Sequence, residues 1–265
     1  MNENPYRQPE TEVAPATGGG LQLGASRSRP IGHGWSWIRQ AWSLFTPAWG
    51  QWILALLLLV IIMIAIQFIP FVGGLAGTLL GPVFGAGVLY MAHRACEGGS
   101  FEIADIFTGF RQQTGALVGL GAINLVVTFV IFAVMAGVMA ATMDTSALSE
   151  INPNNEEAAA EAVMSMMASG ALLAPLLMLA LLIPWMAAYW FAVPLIFFGE
   201  YGIGTALKSS LMACLRNILP LLWYSIIAFV LMIVASIPFF LGWLVLMPLF
   251  AITYYVMFRD IFSEA

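Results

Sequence analysis

The residues of this chain that could do chemistry are few and scattered. There are two histidines, His33 and His93, and neither stands in a metal-binding motif. Cys96 and Cys214 form no C-x-x-C, lack a histidine partner for nucleophilic work, and fall in segments read below as cytoplasmic, so no disulfide is expected. No serine occupies a nucleophile elbow, and no glycine-rich loop leads into a lysine that would cradle phosphate. The expectation is a protein that is not an enzyme and needs neither metal nor cofactor.

Three weaker constellations deserve a physical reading. Asn124 and Thr128 lie one helical turn apart inside an otherwise apolar run, a candidate polar intramembrane site. Interhelical hydrogen bonding, worth about 0.6 kcal/mol on average, accounts for them equally well. His93, Arg94 and Glu97 would suit a lipid headgroup, though the commoner role of such residues is to anchor a helix end at the interface. Met135, Met139 and Met143, with Met164, Met166 and Met167, offer thioethers of the kind that hold Cu(I). Methionine in a membrane protein serves mostly as adaptable filling, so no metal site is expected.

The elements that carry these residues follow from composition. Hydrophobic residues make up 61% of the chain and charged residues only 9%, against about 25% in soluble domains. The apolar residues gather into uninterrupted blocks long enough to cross about 30 Å of hydrocarbon. The blocks fall at 49–69, 71–91, 116–142, 168–198, 218–237 and 238–258, which predicts an all-α, polytopic protein with six transmembrane helices. Ile69-Pro70-Phe71 separates the first pair and Ile237-Pro238-Phe239 the last, so each pair should turn back at its proline, giving three hairpins in all. The fourth block is overlong, about 46 Å as a straight helix, and Pro175, Pro184 and Pro194 should kink it.

Charge orients the spans. Arg27, Arg29 and Arg39 precede the first, Arg94 and Arg111 separate the second and third, Lys208 and Arg216 separate the fourth and fifth, and Arg259 ends the sixth. All fall on one side, which the positive-inside rule assigns to the cytoplasm together with both termini. The opposite loop, 143–167, holds Asp144, Glu150, Glu156, Glu157 and Glu161 and no basic residue. Nine Lys and Arg in total are too few and too dispersed for nucleic acid. Residues 1–30, rich in Pro, Gly and Glu, read as a disordered tail, and the acids at Glu3, Glu10 and Glu12 exclude a signal peptide. The single transmembrane domain then covers 31–262.

Ahead of three spans the apolar residues return every three or four positions. Trp35, Ile38, Trp42, Phe45 and Trp49 do so before the first, Ile103, Ile106, Phe107 and Phe110 before the third, with Ser100 as a cap, and Ile203, Leu207, Leu211 and Cys214 before the fifth. Each predicts an amphipathic helix lying at the cytoplasmic surface, with Trp35, Trp42 and Trp49, and further along His93 and Arg94, as interfacial anchors. Within the second span Gly73, Gly77, Gly81 and Gly85 make a small-residue stripe. Close helix packing is the first reading, and a homodimer seam or pore face the second. No Asp, Glu, Lys or Arg lies deep in a span, which argues against an ion-driven transporter.

Gly34-Trp35-Ser36-Trp37 through Trp42, Ala213-Cys214-Leu215-Arg216-Asn217 and Phe258-Arg259-Asp260-Ile261-Phe262 resemble a family of bacterial six-helix inner-membrane proteins labelled BPSS-type. More distantly the chain looks like the membrane portion fused to some glycerophosphodiesterases, without their catalytic domain. The resemblance spans most of 30–262 and implies six helices in the bacterial inner membrane, with no substrate or functional residue to carry over. The expected function is a scaffold or accessory protein whose partners are membrane lipids, other membrane proteins or a second copy. A small-solute facilitator, channel or transporter component is the alternative.

Overall fold

A backbone in lipid must close its own hydrogen bonds, and the apolar runs do so as helices. The computed structural model describes residues 21–70, 72–142, 164 and 173–263. In chain order the α-helices are α1 (His33–Phe45), α2 (Trp49–Gln67), α3 (Gly73–Cys96), α4 (Thr114–Thr142), α5 (Leu173–Trp190), α6 (Ala192–Gly199), α7 (Ile203–Arg216), α8 (Ile218–Ser236) and α9 (Trp243–Phe262). A 3-10 helix at Ile103–Phe110 joins α3 to α4, and a 3-10 turn at Thr46–Ala48 joins α1 to α2. Six stretches are long and apolar enough to cross a bilayer: α1 running into α2, then α3, α4, the α5–α6 pair, α8 and α9. The chain is an all-α, multi-pass membrane protein. Most of the acidic loop, with Met143, Met166 and Met167, lies outside the described residues.

The long fourth span resolves into two helices, and side chains from elsewhere mend the break. Pro194 has no N–H to give Trp190, whose carbonyl instead accepts the Tyr254 hydroxyl of α9. One step earlier the bond from the Phe191 N–H to the Ala187 carbonyl is replaced by the Ser210 hydroxyl of α7. It accepts from Phe191 N at 2.8 Å and donates to Ala187 O at 2.7 Å. The chain therefore turns between α5 and α6 without leaving these groups orphaned. The last span also starts later than sequence suggests, because residues 237–242 form a turn with Phe239 and Phe240 at positive φ (50° and 63°).

The segments expected at the surface are built differently from their sequence pattern. α1 turns Gly34, Trp37, Ile38, Ala41 and Phe45 into the protein, against α8 and α9, and leaves Trp35, Trp42 and Trp49 exposed. Two apolar stripes run along this helix, and periodicity alone merged them into one. Gly34 permits the approach: a methyl there would sit 2.8 Å from Pro220 O and Tyr224 N. The second segment is 3-10, and its cap is Glu102, not Ser100, with the Glu102 N–H donating to the Asp105 carboxylate at 2.8 Å. In α7 the protein-facing row is Ala206, Ser210, Ala213 and Cys214, while Leu207 and Leu211 are only half-buried.

The glycine stripe of α3 makes close contact only at its α2 end. A methyl at Gly73 would sit 2.5 Å from Ile66 O and one at Gly77 3.2 Å from Gln67 Nε2, while Gly81 faces open space and Gly85 has an ordinary contact with Val193. Other close approaches are made by Gly87, against the Ile106 backbone, and reciprocally by Gly109 against the Val83 backbone. Gly121 of α4 does the same against Thr78 and Leu79, beside the carbonyl that Pro82 leaves without a helical partner. The core is filled by Trp37, Trp52, Leu89, Met91, Phe191, Tyr255, Phe258 and Phe262, all essentially inaccessible, with α3 and α9 at its centre.

Candidate functional site

The charged groups concentrate at one end of the bundle, where residues 21–30 cross it as an extended strap. Read from sequence as the end of a disordered tail, this stretch is tied down at several points. Leu23 pairs with Ser263 as an isolated antiparallel bridge, Gly24 N donates to Phe262 O (2.8 Å), and Arg27 N donates to Ile261 O (2.9 Å). Asn217, fully buried at the junction of α7 and α8, reads the strap backbone with both ends of its amide. Its Oδ1 accepts from Arg29 N at 2.8 Å and its Nδ2 donates to Arg27 O at 3.0 Å.

Asp260, in the last turn of α9, is the hub. Its carboxylate takes the Arg29 guanidinium at 3.1 Å, the His33 Nδ1–H at 2.8 Å and the Trp37 indole N–H at 2.8 Å, and Arg29 Nε also reaches its carbonyl at 3.1 Å. An acid at a helix C-terminus opposes the helix dipole, and these three donors offset that penalty.

Beside the strap lies a cavity of about 790 Å³, its rim formed by Leu21 and Leu23, its walls by Tyr90, His93, Arg94 and Glu97 of α3, Gln112 and Gln113, and the run from Phe197 to Tyr201. Glu200, at φ 52°, ends α6 in the left-handed conformation and turns the chain around the cavity edge. His93 Nδ1 and the Tyr255 hydroxyl are 2.7 Å apart, and the His93 ring sits against Phe198. Arg94 faces Asp105 at 3.7 Å and Glu97 faces Arg259 at 3.8 Å, both partly solvated pairs of the kind worth at most about 1 kcal/mol. The lining mixes both charge signs, amides and aromatic faces. Among the described residues no cluster of His, Cys, Asp and Glu could hold a metal. The arrangement suits reversible binding.

A scan of family models and searches of curated proteins and solved structures gave no match. Helix α1, the α7–α8 junction and the end of α9 converge here: Trp37 donates to Asp260, and Asn217 and Ile261 both hold the strap.

The other sequence candidates lie elsewhere. Asn124 accepts the Trp185 indole N–H at 3.0 Å, so α4 is tied to α5 through it. Asn124 and Thr128 line one largely apolar hollow of about 530 Å³, together with Leu75, Thr78 and Phe129. Trp35, Trp42 and Trp49 are exposed, as lipid-interface anchors would be. Sequence reasoning missed Arg29, Trp37, Ser210, Asn217 and Asp260. The available signal was a lone polar residue next to a proline or a helix end, which an apolar context makes costly unless it is paired.

Proposed function

We propose that the protein is a non-enzymatic scaffold or accessory protein of the bacterial inner membrane, both termini cytoplasmic, built as three membrane hairpins each preceded by a surface segment. It works through its strapped, charged end, which meets lipid headgroups and other membrane proteins or a second copy of itself. The observation that carries this reading is the filled interior. Large side chains such as Trp37, Trp52, Tyr255 and Phe258 occupy the centre of the bundle, and a large cavity with charged and amide lining sits at its strapped end. Affinity purification from native membranes in mild detergent tests it: stoichiometric co-purification of a membrane partner, or a defined homo-oligomer, is the expected result. A chain that always purifies alone as a monomer overturns it.

The same cavity favours a second reading, a small-solute facilitator loading from the cytoplasmic side. Sustained solute flux through liposomes carrying only the purified protein would establish that reading and displace the scaffold.

A further inference from the structure

The two hairpin turns far from the charged end carry side chains that water would reject. At the α8–α9 turn, Ile237, Phe239, Phe240 and Leu241 are 75%, 92%, 66% and 65% exposed, and at the α2–α3 turn Phe68 is 81% exposed. From Phe68 to Gly77 no side chain bears a nitrogen or oxygen. Between Ser236 and Thr253 the only such group is the Trp243 indole, and its N–H donates to Ser236 Oγ at 3.0 Å.

Most backbone donors of the turns are satisfied as well. In the second turn Phe239 N donates to Ile237 O, Phe240 N to Ser236 O, Leu241 N to Pro238 O and Trp243 N to Phe240 O, while Pro238 has no N–H to satisfy. In the first, Phe68 N, Ile69 N, Val72 N and Gly73 N find acceptors at Ala65, Ile66, Pro70 and Ile69. Non-helical backbone is tolerated at membrane depth only when its polar groups are satisfied, and a turn destined for water has no need of this.

Length bears on where the turns lie. α2 and α8 have 19 residues each, a rise of about 28 Å. On α9 the rise from Arg259 back to Trp243 is about 24 Å. Ser236 stands about 30 Å from Arg216 along α8 and Gly73 about 32 Å from Arg94 along α3, so the turns lie near the far edge of about 30 Å of hydrocarbon and the second falls short of it on the α9 side. α4, with 29 residues, overshoots it. The exposed faces of α2 and α8, with Ile61, Ile64, Phe229 and Ile233, continue without a break into the turns.

We propose that the turns at 68–73 and 237–242 stay immersed in the lipid acyl chains of the far leaflet and do not emerge into water. The test uses the full chain with Cys96 and Cys214 replaced by alanine, bearing one nitroxide-labelled cysteine and reconstituted in phosphatidylethanolamine–phosphatidylglycerol vesicles. At Phe68→Cys and Phe239→Cys the nitroxide should collide with oxygen as freely as at lipid-facing Phe229→Cys, and should lose collisions with an aqueous nickel chelate. Nickel access equal to that at Ser149→Cys in the acidic loop would overturn the proposal in favour of water. Low collision rates with both reagents would overturn it in favour of a protein cover. Leu241→Cys gives a second reading of the later turn should Phe239→Cys fail to insert.

Discussion

Asp260 gathers Arg29, His33 and Trp37 onto one carboxylate, and its removal strands all three. Asp260→Ala should lower stability in detergent by about 2 kcal/mol, the range for hydrogen bonds to a charged group, and free the strap. Limited trypsin digestion measures the second effect, as faster cleavage after Arg27 than in the parent chain. Cys214 gives a chemical check on burial: loss of hydration pushes its thiol up to about 11, with only a small opposing contribution from Ser210. The thiolate is the nucleophile, so about one thiol in a thousand is reactive at pH 8. Alkylation by N-ethylmaleimide, followed by mass spectrometry, should be slow there and rise about tenfold per pH unit. Labelling at pH 8 as fast as that of a free cysteine would contradict the buried placement. These residues were hard to pick out from sequence because a polar side chain in an apolar run shows that a partner is needed and does not say which.

The same limit holds for the elements. That six apolar segments are helices was legible, since block length and backbone satisfaction leave no alternative in lipid. Which face of each helix meets protein was not, because lipid and protein interior are equally apolar. Gly73, Gly77, Gly81 and Gly85 looked like one continuous contact face by spacing, whereas only Gly73 and Gly77 press against α2 and the remaining close contacts run through Gly87, Gly109 and Gly121, whose neighbours come from segments distant in sequence. The difference makes an opposed pair of expectations. Gly81→Ala should fold normally and gain up to about 1 kcal/mol of helix propensity, while Gly87→Ala, whose methyl would meet the Ile106 backbone, should abolish monodisperse elution on size exclusion. At the α5–α6 break Ser210→Ala leaves the Phe191 N–H and Ala187 carbonyl unpaired in a buried site, a loss of about 1 to 3 kcal/mol. Thermal unfolding followed by circular dichroism reads it. Retention of full stability would mean that Ser210 does not hold the break.

For the whole molecule, the one-sided distribution of Lys and Arg fixes the expected orientation. Lys208→Cys on the exposed side of α7 should resist an impermeant maleimide in cells with an intact inner membrane, and Ser149→Cys in the acidic loop should label. The reverse pattern would invert the topology. The strap adds a constraint in time: its acceptors at Asp260, Ile261 and Phe262 lie far along the chain, so Arg29 has to wait for the synthesis of 231 further residues before its partner exists. Until then α1 has neither Asp260 for Trp37 nor α9 to lie against, and of its two packing partners only α8 can receive its buried face. Completion of the last helix is thus the event that locks the first, and a ribosome stalled before Trp243 leaves an N-terminal region open to proteases.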